Sequence, residues 1–259
     1  MSKAINPEFF ASVNKLLDSM IETFYEYAPA ARYLSSSRNI DKELFKRHTV
    51  ETILRIRLAR IADSKAIQHF TKTDPFLAQK WSEYSAEEML HDRLFLKDLK
   101  NLGMTEEEVY ATPPLLATRL LQGYLYYTLE HEGPRGVISK SYFVEYTTRK
   151  TQAMWNENAK RSLGREAVKG AEAHHNYDVA EDHSTEVWNV LMGTVESAED
   201  EKRVLYHLNV YFGLFVAYFN ELAASFNTAL SAEPRHPATT AVAGALTAAR
   251  TAAELRPEA

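Results

Sequence analysis

The chain has 259 residues, 45% of them hydrophobic and 11% aromatic, which is enough apolar material for one large globular domain or two small ones. Its net charge is −5 and acidic and basic residues are interspersed, so we expect no nucleic-acid partner and no membrane-surface partner. The lack of cysteine excludes disulfides, thiolate metal sites and cysteine nucleophiles, which leaves oxygen and nitrogen as metal ligands.

The first ten residues, MSKAINPEFF, contain no apolar run typical of a signal peptide. No window of the sequence reaches the roughly 18 apolar residues that a membrane span needs. We therefore expect a cytoplasmic protein.

Helix signals divide the chain into seven long helices. Proline and capping residues mark most of the predicted starts, and glycine or proline marks several ends. The predicted spans are about 7–28, 41–70, 75–103, 112–133, 139–163, 165–193 and 197–227, with one or two further turns from Thr105. No stretch alternates in the manner of a strand, so the sequence predicts a single all-α bundle over residues 1–227. We expect the Ala/Thr/Pro-rich tail, 228–259, to be frayed or weakly helical.

The third predicted helix carries two polar residues on its inward side. At about 100° per residue, Glu88 and His91 share a stripe with Phe95, Leu99 and Leu102. An unpaired buried carboxylate is costly, and a metal ion would neutralise it while using the imidazole as well. Glu-x-x-His on an inward face is typical of di-iron and di-manganese carboxylate proteins, and a satisfied core pair is the alternative to this interpretation.

Three other predicted helices carry acidic or histidine residues that we expect to face inward. They are Glu51 on the second helix, Glu145 on the fifth, and His174 with Asp178 on the sixth. At a rise of about 1.5 Å per residue, helices of similar length return residues about 30 or 60 positions apart to one level. The intervals between these sites allow them to share one layer. Taken singly, each could instead form an ordinary ion pair, as Glu145 with Arg149.

The order of these candidates resembles that of the haem-oxygenase-like di-iron oxidases and oxygenases, over about residues 40–225. The resemblance is carried by Glu51, the pair Glu88/His91, Glu145 and the pair His174/Asp178. It implies a seven-helix haem-oxygenase-like bundle in which two iron ions take the place of haem. In such proteins a second histidine usually follows the aspartate by three residues, where this chain has Glu181, and His183 stands two further on. The resemblance leaves four alternatives for the second iron site: it is completed by Glu181, by Asp182, by His183, or by none of them.

A ferritin-like di-iron pattern also stays open. Glu172-x-x-His175 is a second Glu-x-x-His, so it can replace the pair His174/Asp178 in the ligand set. The side chains of His174 and His175 point about 100° apart on a helix, so we expect only one to bind metal. We prefer His174 because it shares a face with Asp178.

The resemblance implies a non-haem di-iron oxidoreductase that uses O2 as cosubstrate, an external electron donor and a small organic substrate. An amino acid or a fatty acid is expected, with desaturation, N-oxygenation, C–C cleavage or ring closure as the outcome and natural-product biosynthesis as the setting. Arg149, one turn from Glu145, could bind a substrate carboxylate and favours an amino acid. A ferritin-like protein, or a bundle that binds iron or a hydrophobic ligand without turnover, is the alternative. The run Tyr124, Tyr126 and Tyr127 could line a substrate channel or the face of a homodimer.

Overall fold

The computed structural model describes residues 7–35 and 39–227, and over these ranges it contains helices and connecting turns but no strand. The helices are α1 (Pro7–Tyr27), α2 (Lys42–Thr73), α3 (Pro75–Glu88), α4 (Asp92–Asn101), α5 (Glu106–Ala111), α6 (Leu116–His131), α7 (Arg135–Leu163), α8 (Lys169–Glu181), α9 (His183–Gly193) and α10 (Ala198–Asn227). Short 3₁₀ turns occupy Pro29–Leu34 and Arg165–Ala167. The all-α prediction is confirmed for this part of the chain. The predicted tail at 228–259 lies outside the described residues.

The ten helices of the described ranges correspond to the seven predicted ones. The predicted helix at 75–103 is divided into α3 and α4, and the one at 165–193 into α8 and α9. The short element predicted from Thr105 is α5. The seven-helix bundle is therefore present, with two of its helices interrupted.

Side-chain caps explain where several helices begin. The Asp41 carboxylate accepts a hydrogen bond from the N–H of Leu44 at 2.9 Å, at the start of α2. Thr105 and Glu108 form a reciprocal capping box at the start of α5. Because each cap satisfies N–H groups that the first turn leaves unpaired, these residues fix the helix starts that the sequence predicts.

α2 and α3 form a hairpin joined by one residue, Asp74. Its carboxylate accepts hydrogen bonds from the N–H groups of Phe76 and Leu77, at 2.9 and 3.1 Å. Because the connection is so short, residues equally far from Asp74 in the two helices lie at about the same level. This register determines which part of α2 faces the end of α3.

α10 packs against α1, α2, α6 and α7. Its Tyr211 and Tyr218 are fully buried. Contact on several sides explains why this helix is almost wholly apolar in sequence. Between residues 7 and 227, apart from the undescribed 36–38, no helix is both long enough and apolar enough to cross a membrane.

Candidate metal centre

A tightened turn between α3 and α4 brings Glu88 and His91 to one side. The N–H groups of His91 and Leu94 bond to the carbonyls three residues earlier, at 3.3 and 3.1 Å. Such i→i+3 bonding eclipses residues three apart, so the two side chains project together. The Nδ1 atom of His91 lies 3.0 Å from Oε2 of Glu88. The predicted shared face thus exists although the predicted helix is interrupted.

The break between α8 and α9 turns the chain at Asp182. This residue has φ +53° and ψ +45°, a left-handed conformation that Asp adopts more readily than most residues with a side chain. In a continuous helix the His183 side chain would point about 140° away from Asp178. After the break, Nδ1 of His183 lies 3.5 Å from Oδ1 of Asp178. The interruption therefore turns His183 toward the ligands on α8.

Two groups of potential metal ligands share one carboxylate, that of Glu88. The first group is Glu88, His91, His174 and Asp178, and the second is Glu88, Glu145 and His183. Within each group, one ligand atom from every residue lies within 4.8 Å of the others. The rings of His91 and His174 have centroids 4.5 Å apart. Side chains from α3, α7, α8 and α9 and from the turn before α4 thus converge on one place.

These groups fit a pair of metal ions because many of their polar atoms are buried and, within the described residues, face one another without forming a well-directed hydrogen bond. The atoms are Glu88 Oε1, His91 Nδ1, both carboxylate oxygens of Asp178, and His183 Nδ1. Buried polar atoms are nearly always hydrogen-bonded, so unsatisfied atoms that converge from several helices indicate a ligand. Their oxygen and nitrogen chemistry suits iron, which carboxylate and imidazole hold well.

The electrostatics of the groups also suit a cation. Burial, together with the charges of Glu88 and Asp178, raises the pKa of Glu145 to about 7. Burial alone would lower the pKa of His183, but the close contact with Glu88 and the charges of the other nearby carboxylates outweigh it and raise the pKa to about 9. Burial opposes ionisation of Glu88, yet its close contacts with His183 and His91 bring its pKa below the usual value. Protons shared among these groups are those that a divalent metal displaces on binding.

Tyr84 and Glu87 hold two of the side chains from outside the groups. The buried Tyr84 hydroxyl donates a hydrogen bond to Oε1 of Glu145 at 2.7 Å. Oε2 of Glu87 lies 2.9 Å from Nε2 of His183, which leaves Nδ1 facing Glu88 and Asp178. A carboxylate on the distal nitrogen fixes the tautomer and orientation of a metal-binding histidine. We therefore assign Glu87 this supporting role, although it also forms a third, more exposed group with His183 and Glu186.

α8 approaches α4 closely at Gly170. A Cβ atom at this position would lie 1.9 Å from the carbonyl oxygen of Leu94, so only glycine fits. The N–H groups of Gly170 and Ala171 donate to the Asp98 carboxylate at 2.7 and 2.9 Å. This acid caps the start of α8 and ties it to α4. The contact fixes the position of His174, one turn further along.

Glu51 does not reach the two groups. Its fully buried carboxylate accepts hydrogen bonds from the Thr118 hydroxyl at 2.5 Å and from the N–H of Leu115 at 3.0 Å. Arg47 lies 2.5 Å from the same carboxylate. Glu51 therefore caps the start of α6, where a negative charge is favourable, and pairs with an arginine.

Glu51 lies at a different level from the ligand groups because the α2–α3 connection is short. Glu88 lies 14 residues after Asp74 and so faces α2 near residue 60. That level is about nine residues, or about 14 Å, from Glu51. The acid of α2 that does interact electrostatically with Glu88 is Asp63, and burial raises the pKa of Asp63 to about 7.

Glu181 and Asp182, the alternatives for the second iron site, lie outside the groups. Glu181 is exposed at the end of α8. Asp182 occupies the left-handed turn, and its carboxylate accepts a hydrogen bond from Arg149 at 2.7 Å. Arg149 also donates to the Ser184 hydroxyl at 2.8 Å, so this arginine is held at the α8–α9 turn instead of beside Glu145. His183, which sequence periodicity could not orient, is the residue that the break brings in.

The ferritin-like pattern is not assembled either. Glu172 forms an ion pair with Lys160 at 3.0 Å. His175 belongs to neither ligand group, because its ring projects about 100° around α8 from that of His174. Of the two adjacent histidines, His174 is the one that faces His91 and Asp178.

A cavity of about 340 Å³ adjoins the groups, and Glu88, Glu145 and His174 form part of its lining. Small-molecule sites are typically cavities of about 300–1,000 Å³ with mainly apolar walls. The walls of this one are mainly apolar and include phenylalanines from α1, α2, α4, α7 and α10. Arg149 is not part of the lining. The cavity can therefore bring a small, largely apolar molecule next to the ligand groups.

Comparison with known proteins gives one family and two similar structures. The family model described as an iron-containing redox enzyme matches residues 67–210, a span that includes every member of both ligand groups. A domain of unknown function from Shewanella denitrificans with a heme oxygenase-like fold has a TM-score of 0.74 and 18% identity, covering 86% of this chain and 96% of its own. A TenA homolog from Pseudomonas syringae pv. tomato has a TM-score of 0.59 and 12% identity, covering 78% and 92%. No curated protein matches the chain.

Proposed function

The chain belongs to the haem-oxygenase-like family of iron-containing redox enzymes, and from this premise we propose that it is a non-haem di-iron oxidase or oxygenase that activates O2. The observation that carries the proposal is the pair of buried ligand groups that share Glu88. A carboxylate has two oxygens and can contact two cations at once. The two groups would therefore hold two iron ions side by side.

Each proposed ligand has a defined part. His91, His174 and Asp178 would hold one ion, Glu145 and His183 the other, and Glu88 would contact both. When bound, ferrous iron supplies the redox chemistry of dioxygen activation, which no side chain can perform.

The surrounding residues orient and shield the site. Tyr84 holds the Glu145 carboxylate through its hydroxyl, and Glu87 fixes the ring of His183. Phe95 packs against the ring of His174, with centroids 5.1 Å apart, and also lines the cavity. These contacts would keep the ligands oriented and limit water at the metal centre.

The proposed substrate is a small organic molecule that enters the cavity. The expectation of an amino acid depended on Arg149 binding a substrate carboxylate. Because Arg149 is bound to Asp182 and Ser184 at the α8–α9 turn, it does not support that expectation. An external electron donor, the outcomes of desaturation, N-oxygenation, C–C cleavage or ring closure, and a role in natural-product biosynthesis stay predictions from family resemblance.

Anaerobic loading with ferrous iron followed by exposure to oxygen tests the proposal. A di-iron oxidase should consume oxygen and develop a transient visible absorption band after loading two ions per chain. His91→Ala should lose iron and this response, whereas His131→Ala, which replaces an exposed histidine of α6, should retain both. Uptake of many ions per chain would favour iron storage. Stable ferrous iron that does not react with oxygen would favour binding without turnover, and no iron uptake would contradict both.

A further inference from the structure

Among the residues that the structure describes, Arg55 is the cavity cation that has no acidic partner. Three lysine or arginine side chains line the cavity within the described residues: Arg55, Lys140 and Lys150. Lys150 pairs with Asp18 at 2.5 Å, and Lys140 interacts with the charge of Asp63. Nη1 of Arg55, by contrast, is buried and has no hydrogen-bond partner in the described part of the chain. A buried guanidinium nitrogen that has no hydrogen-bond partner indicates an anion-binding position.

The surroundings of Arg55 orient its charge without neutralising it. Its Nη2 donates to the Thr52 hydroxyl at 3.1 Å, and its guanidinium carbon lies 4.2 Å from the centre of the Tyr218 ring. Nδ1 of His48 lies 2.9 Å from the Tyr218 hydroxyl. Burial and the charge of Arg55 lower the pKa of His48 to about 3, so this imidazole is neutral at physiological pH. The polar part of the cavity around Arg55 thus carries a net positive charge.

An apolar wall connects Arg55 with the metal centre. The guanidinium carbon is 5.8 Å from the centre of the Phe215 ring, which stacks on Phe143 with centroids 5.4 Å apart. Phe143 precedes Glu145 by two residues on α7. On α2, Arg55 lies eight residues, or about 12 Å, from Asp63, which interacts with Glu88. An extended ligand could contact both Arg55 and the metal centre.

We propose that Arg55 binds the carboxylate of the substrate, and that the apolar body of this acid lies along Phe143 and Phe215 with its reacting part at the metal centre. This inference depends on the di-iron function proposed above. Arginine suits the task because its charge is permanent and its planar donors match a carboxylate. An α-amino acid fits less well, since its ammonium group would lie beside the guanidinium, where the described residues offer no unpaired acid to bind it. The predicted substrate is therefore a simple apolar carboxylic acid.

Three probes of equal chain length separate the charges of the ligand: octanoate, octanamide and 2-aminooctanoate. Their binding to iron-loaded protein under nitrogen can be measured by calorimetry, and by the fluorescence of Trp155, which lines the cavity. Octanoate should bind at least tenfold more tightly than the other two. Arg55→Met should weaken octanoate binding by at least about tenfold, the loss expected for one charge-assisted hydrogen bond, and leave octanamide unchanged. Arg55→Lys should retain part of the affinity.

Arg57→Met is the matched control. Arg57 lies on the same helix but is exposed, and its guanidinium carbon stacks 3.9 Å from the centre of the Tyr110 ring outside the cavity. Its replacement should leave octanoate binding unchanged. If Arg55→Met fails to fold, the comparison of the three probes on the natural protein still decides.

Several results would overturn the role of Arg55. They are equal octanoate affinity in Arg55→Met, equal affinity of the natural protein for octanoate and octanamide, tighter binding of 2-aminooctanoate, or octanoate binding that depends on iron but not on Arg55. Two ions per chain without octanoate binding would remove the role of Arg55 and keep the di-iron function. Octanoate binding that depends on Arg55 in a protein that cannot load iron would keep the role of Arg55 and remove the di-iron function.

Discussion

Replacing Gly170 with alanine should displace α8 and with it two proposed ligands. The added Cβ would lie 1.9 Å from the carbonyl oxygen of Leu94, whereas real Cβ contacts begin at about 3.0 Å, so the separation must grow by about 1.1 Å. Because the contacted atom belongs to the backbone of α4, a helix has to move. Overpacking of this kind costs about 1–3 kcal/mol of folding stability. His174 and Asp178, one and two turns along α8, would shift relative to His91 by a similar distance.

Denaturant unfolding and anaerobic titration with ferrous iron measure the two effects. A displacement of about 1 Å in a site can cost on the order of 100-fold in activity, so we expect iron binding at least tenfold weaker in Gly170→Ala. Gly123→Ala is the control, because a Cβ on this residue of α6 meets no atom within 4 Å. It should be neutral or stabilising by up to about 1 kcal/mol. Unchanged stability and iron affinity in Gly170→Ala would refute the close-packing argument.

Three further predictions concern His183, Glu87 and His48. His183→Ala should reduce the iron content from two ions to one per chain, because His183 belongs to the second group only, and retention of both ions by elemental analysis would exclude it as a ligand. Glu87→Gln should lower the affinity for one ion by about tenfold through looser orientation of His183, and an unchanged binding isotherm would remove that supporting role. His48 has a pKa of about 3 in the folded protein against about 6.5 unfolded, so it binds fewer protons when folded, and its contribution to stability is lost as the pH falls from 6.5 toward 3. By pH 5 the free energy of unfolding should fall by about 2 kcal/mol for this reason. Denaturant unfolding at pH 7 and pH 5 measures the loss, which should be absent in His48→Gln. An equal pH dependence of stability in both proteins would contradict the lowered pKa of His48.

The helices were predictable because nearby residues in the sequence determine where they start. Asp41, Asp74 and Thr105 each satisfy N–H groups a few residues away, so a short sequence window contains the whole interaction. The two interruptions carry no comparable signal. Neither Met89 in the α3–α4 turn nor Asp182 is a glycine or proline, and the breaks emerge only when the ligand-bearing segments pack together.

The candidate site was predictable to the extent that it depends on helix faces. Periodicity alone identifies Glu88, His91 and Glu145 as facing inward, and the structure brings them together. Glu51 also faces inward, but it lies at a different height along the bundle from Glu88. That height depends on the register that Asp74 sets between α2 and α3. Orientation within a helix is a local property, whereas register and helix breaks are tertiary ones.

Arg55 was beyond the sequence argument for a related reason. Its residue type and face suggest only an ion pair with an acid one turn away. Arg55 has no acidic partner because Glu51, the acid one turn away, is bound by Arg47, Leu115 and Thr118. The bonds from Leu115 and Thr118 form only when α6 packs against α2.

Counting and characterising the iron in the natural protein tests the central proposal most directly. Protein loaded anaerobically with ferrous iron should contain two ions per chain, and after oxidation its Mössbauer spectrum should show two ferric ions coupled magnetically through shared ligands. Coupling is expected because both ligand groups include Glu88. One ion per chain, or two ions without magnetic coupling, would contradict the di-iron centre.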